Sequence, residues 1–214
     1  MQIPKEEIEN KILDAARKEF ADKGFTRASV RRIASVAGVS TSNIYNYFKS
    51  KDDLFAGIVG PIVTKINRRF DFMESGEEYR NPDKWSYAYH LQMLNALAGF
   101  IDAEREVLKL LAFQSHGSSF QNYRETLIDR YTLVSLKFMR ESQSLYPGLK
   151  AEISPFFAHN IASFWMNVIL EILMHDVPRA EMTVFLREVM RFMFYGYEGL
   201  TEYDFSNMRP KPLS

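Results

Sequence analysis

Apolar residues recur along this chain at helical spacing, and no segment alternates strictly between apolar and polar as a strand would. Ile8, Ile12, Ala16 and Phe20 fall every four residues and predict an amphipathic helix from Lys5 to Asp22, closed by basic Lys23 and a Gly24 stop. A shorter helix follows, capped by Ser29, with Val30, Ile33, Ala34 and Ala37 on one face. Gly38 supplies the left-handed turn residue and Val39 tucks into the core. Ser40 then caps a third helix whose inward side carries Ile44, Tyr47 and Phe48.

Ser50-Lys51-Asp52-Asp53 reads as a capping box opening a long fourth helix through Leu54, Phe55, Ile58, Ile62, Ile66 and Phe70. Gly60-Pro61 lies inside it, where a proline removes a backbone donor: either the helix bends there as a hinge, or the pair only shapes packing. Residues 74–83 form the first clear loop. Further helical patterns occupy 84–101, 103–115, 119–144, 152–175 and 179–198, broken at His116-Gly117-Ser118, Tyr146-Pro147-Gly148 and Asp176-Val177-Pro178. The expected fold is all-α. A three-helix head at 1–50 carries a helix-turn-helix, a larger helical body spans 51–206, and 207–214 is a mobile tail.

Composition adds little until charge is mapped. A length of 214 residues suffices for a sizeable core, and 46% hydrophobic with 25% charged residues is ordinary for a globular protein. No cysteine is present, which leaves no disulfide and no thiolate metal site and suits a reducing cytosol. The first residues, MQIPKEEIENK, lack the order of a secretory signal. The most apolar run, Phe164–Met174, is too short to span a bilayer. A cytoplasmic protein without a membrane partner is expected.

The charge map is uneven. The chain sums to zero, yet residues 23–51 hold Lys23, Arg27, Arg31, Arg32, Lys49 and Lys51 and not one Asp or Glu. Basic charge gathered on one helix-turn-helix points to double-stranded DNA. At 100° per residue, Ile44 faces inward with Ser40, Tyr47 and Phe48; Ser42 and Asn46 point outward, flanked by Thr41, Asn43 and Tyr45. Hydroxyls, amides and a phenol suit base edges and phosphate oxygens, and Asn suits adenine. Arg31, Arg32 and Lys51 are the expected phosphate partners, with Ser29 and Tyr47 completing the DNA-binding set. A polar helix face can also be plain solvated surface; the glycine turn and the lack of acids favour DNA.

The string Ile33-Ala34, Ala37-Gly38-Val39-Ser40, Ile44-Tyr45, Tyr47-Phe48, Lys49, Lys51 and Leu54-Phe55 resembles the signature of the TetR family of bacterial transcriptional regulators; Phe20, Gly24-Phe25 and Ser29 fit its spacing. The resemblance covers residues 8–56. Two places depart from it: Thr41-Ser42 stand where the family commonly has Lys-Gly, and Asn46 where it often has His. What the resemblance implies is a homodimeric regulator, expected to be a repressor, whose heads read a palindromic operator in successive major grooves about 34–36 Å apart. It further implies that the body binds an unknown small effector that loosens DNA binding, with the last two helices forming the dimer interface.

In the body, Asn160, Ser163, Asn167 and Glu171 make a polar stripe on an otherwise apolar and therefore buried helix. It lines an effector pocket, faces its twofold mate, or meets solvent. Candidate pocket walls for a largely apolar effector are Trp85, Tyr89, Met93, Phe113, Tyr131, Asn160, Phe164 and Asn167, and filling the core is the plain alternative for each. Phe164, Trp165, Val168, Ile172, Met182, Phe185, Val189 and Phe192 are the expected interface, since Met and aromatic residues are enriched there. No metal, cofactor or catalytic motif is found: HExxH, GxSxG and a phosphate-binding glycine loop are all missing. The remaining rival is a helical module binding protein or an anionic membrane, for which opposed Lys/Arg and bulky apolar faces would be expected rather than the Ser, Thr and Asn seen at 41–46.

Overall fold

A computed structural model describes residues 5–77, 86–145, 148–150 and 152–203. Among these, nine helices and no strands occur: α1 Lys5–Arg27, α2 Val30–Ala37, α3 Thr41–Tyr47, α4 Lys51–Ser75, α5 Tyr87–Ala103, α6 Arg105–Phe113, α7 Tyr123–Leu145, α8 Pro155–Met174 and α9 Arg179–Thr201. Trp85 and the 207–214 tail lie outside the described residues.

Packing gathers the chain into two compact units. The first joins residues up to 66 with 104–124; the second joins 67–103 with the chain from 125 onward. These units are drawn by contact and cut across the division by role at residue 50, because α6 packs on α1.

The first unit is built around three phenylalanines. Phe20 and Phe55 meet edge-on at 5.0 Å, and Phe25 meets Phe55 edge-on at 5.4 Å, with Phe20 and Phe55 wholly buried. Ile12, Ala16, Ile33, Ile44, Leu54 and Leu110 complete this core. The first helix breaks at Gly24, where the sequence places its stop, and a further helical turn continues to Arg27; the Gly24 φ of 69° and ψ of 164° are open essentially to glycine alone. A Cβ there would meet the Gln114 Oε1 atom at 2.8 Å, and the Phe25 N–H donates to the Gln114 carbonyl at 2.8 Å. The glycine therefore serves a close approach between the α1 corner and the end of α6.

The expected caps form. Ser29 Oγ accepts from the Arg32 N–H, Gly38 closes α2 at φ 70°, and Ser40 Oγ accepts from the Asn43 N–H. Ahead of α4, Ser50 Oγ accepts from the Asp53 N–H, and the Asp53 carboxylate reaches back to the Lys49 N–H at 2.8 Å. α4 runs through Pro61 as one helix. Lys65 pairs with Glu104, and Asp52 accepts from the Ser119 N–H at 2.8 Å, so α4 is tied to both ends of the 104–124 segment.

In the second unit α5 packs along α9. Leu94, Ala98, Ile101, Ala162, Ile172, Met182, Leu186 and Met193 fill its interior. Arg130 of α7 holds the end of α4 through Asn67, Asp71 and Glu74, and its guanidinium lies 5.0 Å from the Phe70 ring centre. Those carboxylates raise the Arg130 pKa against the opposing effect of burial. α7 begins at Tyr123, later than the pattern at 119 suggests, because residues 115–122 form turns pinned by buried Ser118: its Oγ donates to the Ser115 carbonyl and accepts from the Phe120 N–H.

Candidate nucleic-acid interface

Helix α3 turns one residue into the core, Ile44 at 1% exposure, and the cap residue Phe48 follows it inward. This fixes the helix about its axis. Ser42, Tyr45 and Asn46 are exposed on the far side, while Thr41, Asn43 and Tyr47 are half-buried at the flanks. Tyr45 stands out at 50% exposure, far above what a core tyrosine would keep.

Hydrogen bonds within α3 order this polar face. Ser40 Oγ and Ser42 Oγ lie 2.9 Å apart, and Asn46 Nδ2 donates to Asn43 Oδ1 at 3.3 Å. Lys5 at the start of α1 lies 5.7 Å from the Tyr47 ring centre, a cation–π contact that leaves its charge beside the face.

The basic residues divide into two groups. Arg31 and Lys49 are exposed, and their side chains make no ion pair or hydrogen bond with the described residues. The other four are engaged. Lys23 pairs with Asp22 at 3.0 Å, an arrangement that lowers the pKa of that exposed carboxyl. Arg27 donates to the Lys23 carbonyl. Arg32 Nε lies 3.1 Å from Glu19 Oε2, and the other oxygen of this buried carboxylate accepts from the Ser29 N–H at 3.1 Å. Arg32 itself remains 64% exposed, so its outer nitrogens stay open.

Lys51 departs from its expected role. Its ammonium donates to the carbonyls of Phe25, Thr26 and Ala28 at 2.8, 3.2 and 3.4 Å, which saturates its three donors and closes the C-terminal end of α1. It is therefore committed inside the head and has no donor left for phosphate. Counting charge by sequence window missed this, as it missed Glu19 and Asp22, which lie just upstream and fold back onto Arg32 and Lys23.

The second unit places the remaining candidates unevenly. Val168, Ile172, Met182 and Val189 are 5%, 0%, 0% and 7% exposed within their own chain, leaving almost no surface for a partner. As interface residues they are corrected to core. Phe164, Trp165, Phe185 and Phe192 keep surface, Phe192 at 70%, and Phe156, Met174, Val184 and Leu200 join them on the open faces of α8 and α9. The stripe residues Asn160, Asn167 and Glu171 are exposed within their own chain, and Ser163 is half-buried. α8 buries one face only, through Ala158, Ala162, Val168, Ile172 and Leu173, and not most of its circumference as the apolar pattern suggests. The whole helix, with a mean hydropathy of 1.3 over an 18-residue window, also meets the length and composition of a membrane span, which the shorter run had excluded.

Of the pocket candidates, Tyr89, Met93 and Tyr131 are half-buried in the second unit, while Phe113 belongs to the first. Two surface hollows of the second unit are lined by other residues: Glu188, Arg191, Phe192, Tyr195 and Gly196 on α9, and Leu136, Met139, Arg140, Gln143, Glu152, Ile153 and Pro155. Among the described residues no group of His, Cys, Asp and Glu is placed to hold a metal ion.

Comparison with known proteins agrees with the head. Residues 12–58 match the family model for bacterial regulatory proteins of the tetR family. The HTH-type transcriptional regulator HbdR of Aromatoleum is 28% identical over 131 residues, covering 59% of this chain and 52% of that protein; the chain thus spans about half the length of this relative. Among solved structures, a TetR-like transcriptional regulator from Rhodococcus matches with a TM-score of 0.59 at 20% identity, over 94% of this chain and all of that one. The regulator FadR from Bacillus subtilis, solved in complex with stearoyl-CoA, matches with a TM-score of 0.56 at 16% identity, over 87% of this chain and 98% of that one. At these identities the structural likeness establishes the fold.

Proposed function

We propose that the chain is a TetR-family transcriptional regulator, a homodimeric repressor that binds a palindromic operator and is released by a small, largely apolar effector. The observation that carries the DNA half of this reading is the outward face of α3. Ser42, Tyr45 and Asn46 stand clear of the core with no carboxylate among them, and the open charges of Arg31 and Lys49 flank them. Arg31 and the outer nitrogens of Arg32 hold phosphates, assisted by the Ser29 hydroxyl; Thr41, Ser42, Asn43, Tyr45, Asn46 and Tyr47 face the bases and the sugar edge.

Dimerisation is supported by the open apolar faces of α8 and α9. Phe156, Phe164, Met174, Val184 and Phe192 are too many large apolar side chains to leave in water, and a twofold pairing buries them together. Asn160, Asn167 and Glu171 then lie against the mate, where polar groups fix its register. Effector control is supported by the half-buried Tyr89, Met93 and Tyr131 and by the stearoyl-CoA complex of one structural neighbour. A bacterial cytoplasmic location, and a role as binding protein rather than enzyme, follow from this reading.

The test is fluorescence anisotropy with labelled duplexes from the DNA flanking its gene, repeated over a series of salt concentrations. The reading predicts saturable binding whose logarithm falls linearly with log salt, and a slope reduced by about 1 in Arg31→Ala. A flat salt dependence, or an unchanged slope in that variant, would overturn it.

A further inference from the structure

We infer that Glu19 of α1 is a positioning residue: it caps α2 from outside that helix, and so lets Arg32 stand where a capping acid would, anchored and turned toward phosphate. The inference rests on the DNA-binding reading above and deepens it.

In a capping box, an acid at the third helical position reaches back to a backbone N–H at the helix start. α4 follows this plan, with Asp53 three residues after Ser50 accepting from the Lys49 N–H. α2 does not. Ser29 caps it and accepts from the Arg32 N–H, but the third position is Arg32 itself and the first turn holds no acid. An arginine accepts no hydrogen bond, so no side chain in that turn can satisfy the Ser29 N–H. Glu19 does so from the neighbouring helix, its Oε1 accepting from Ser29 at 3.1 Å. Its Oε2 lies 3.1 Å from Arg32 Nε.

Both oxygens are thereby used, as a carboxylate only 7% exposed requires. The Glu19 charge also offsets Arg31 and Arg32, two cations placed at the positive end of the α2 dipole. The other acid nearby, Asp22, is already paired with Lys23. With Nε taken by Glu19, the remaining N–H donors of Arg32 form a planar fork on a side chain 64% exposed. Such a fork matches two oxygens of one phosphate. A guanidinium anchored beforehand loses less rotamer freedom on binding than a free one.

The experiment follows binding of a labelled duplex of mixed sequence to the full-length protein over a salt series. Wild type is compared with Glu19→Gln, Arg32→Ala and the double variant. Glu19→Gln keeps an oxygen for the Ser29 N–H and sets its NH2 group against Arg32, so the cap survives and the anchor is lost. Arg32→Ala should weaken binding about tenfold and reduce the salt slope by about 1. Glu19→Gln should weaken it about three- to tenfold, with the double variant no weaker than Arg32→Ala. Tighter binding in Glu19→Gln, the effect of merely removing a negative charge near phosphate, would overturn the inference. So would losses that multiply in the double variant. Should a variant fail to fold, NMR of the wild-type arginine side chains decides. The Arg32 Nε–H signal, identified by its loss in Arg32→Lys, should exchange slowly both free and on DNA; fast exchange in either state would overturn the inference. An unchanged affinity and slope in Arg32→Ala would overturn it while leaving DNA binding to other residues. Wild-type binding without salt dependence would overturn the DNA-binding reading itself, and this inference with it.

Discussion

The ammonium of Lys51 lies 2.8 Å from the carbonyl oxygen of Phe25 and 4.6 Å from the centre of that residue's ring. A cation at the first turn of α4 thereby closes the end of α1, linking the start of the long helix to the head by three charge-assisted hydrogen bonds. Lys51→Met keeps the aliphatic stem and removes the donors. The expected cost is about 1–3 kcal/mol of head stability, seen as a lower midpoint in thermal or urea unfolding. The salt dependence of DNA binding should keep its slope. A slope reduced by about 1 with unchanged stability would place Lys51 on a phosphate instead.

Three glycines divide by what surrounds them. Gly24 and Gly117 both have positive φ, and a Cβ on either would lie 2.8 Å from a side-chain oxygen of the facing segment, Gln114 Oε1 or Thr26 Oγ1. Replacing either with alanine should cost about 1–3 kcal/mol. Gly60 sits within α4 with nothing near its missing Cβ. Gly60→Ala should instead stabilise by about 0.5–1 kcal/mol, because it restricts only the unfolded chain. Unfolding curves of the three variants decide the matter, and destabilisation by Gly60→Ala would show that α4 needs freedom there.

Tyr197 of α9 should ionise late. Burial raises its pKa from 10.0 to about 12. Because the folded value is the higher one, the associated stability is fully present below pH 10 and is lost as pH rises through the window up to about 12. Absorbance titration should show one of the tyrosines lagging the rest, and Tyr197→Phe should abolish that lagging step. A variant that titrates like the parent would assign the buried phenol elsewhere.

Phe192 is 70% exposed in a single chain while its neighbour Met193 is 7% exposed. Phe192→Glu should therefore yield monomers in sedimentation velocity with unchanged helicity, whereas Met193→Ala should lower stability and leave the dimer assembled. Intact dimers in Phe192→Glu would remove α9 from the interface.

The head was legible in sequence because its signals are local. Ser29, Gly38, Ser40 and the Ser50–Asp53 box each act within four residues of themselves, and each cap forms as its spacing implies. The outward set on α3 followed from one angle per residue. What escaped was whatever depends on contact across the chain. Gly24 is legible as a break in the helix, but nothing local shows that Gln114 approaches it ninety residues later. Lys51 was assigned by charge, although its partners are backbone carbonyls, which carry no sequence signature. In α8 and α9 the apolar pattern named buried and open residues alike, because periodicity marks an apolar face without saying how far it is covered. Val168 and Phe164 look equally apolar in sequence; only packing separates a core residue from an exposed one.

In the proposed function α3 reads DNA sequence through neutral side chains while Arg31 and its neighbours hold the backbone. The measurement that tests it most directly is the affinity ratio between a selected operator duplex and a scrambled duplex of the same composition, at one physiological salt concentration, for wild type and Tyr45→Ala. The expected ratio in the wild type is at least about 10³. In Tyr45→Ala the ratio falls about tenfold while affinity for the scrambled duplex is unchanged. Equal losses on both duplexes, or no loss on either, would contradict it.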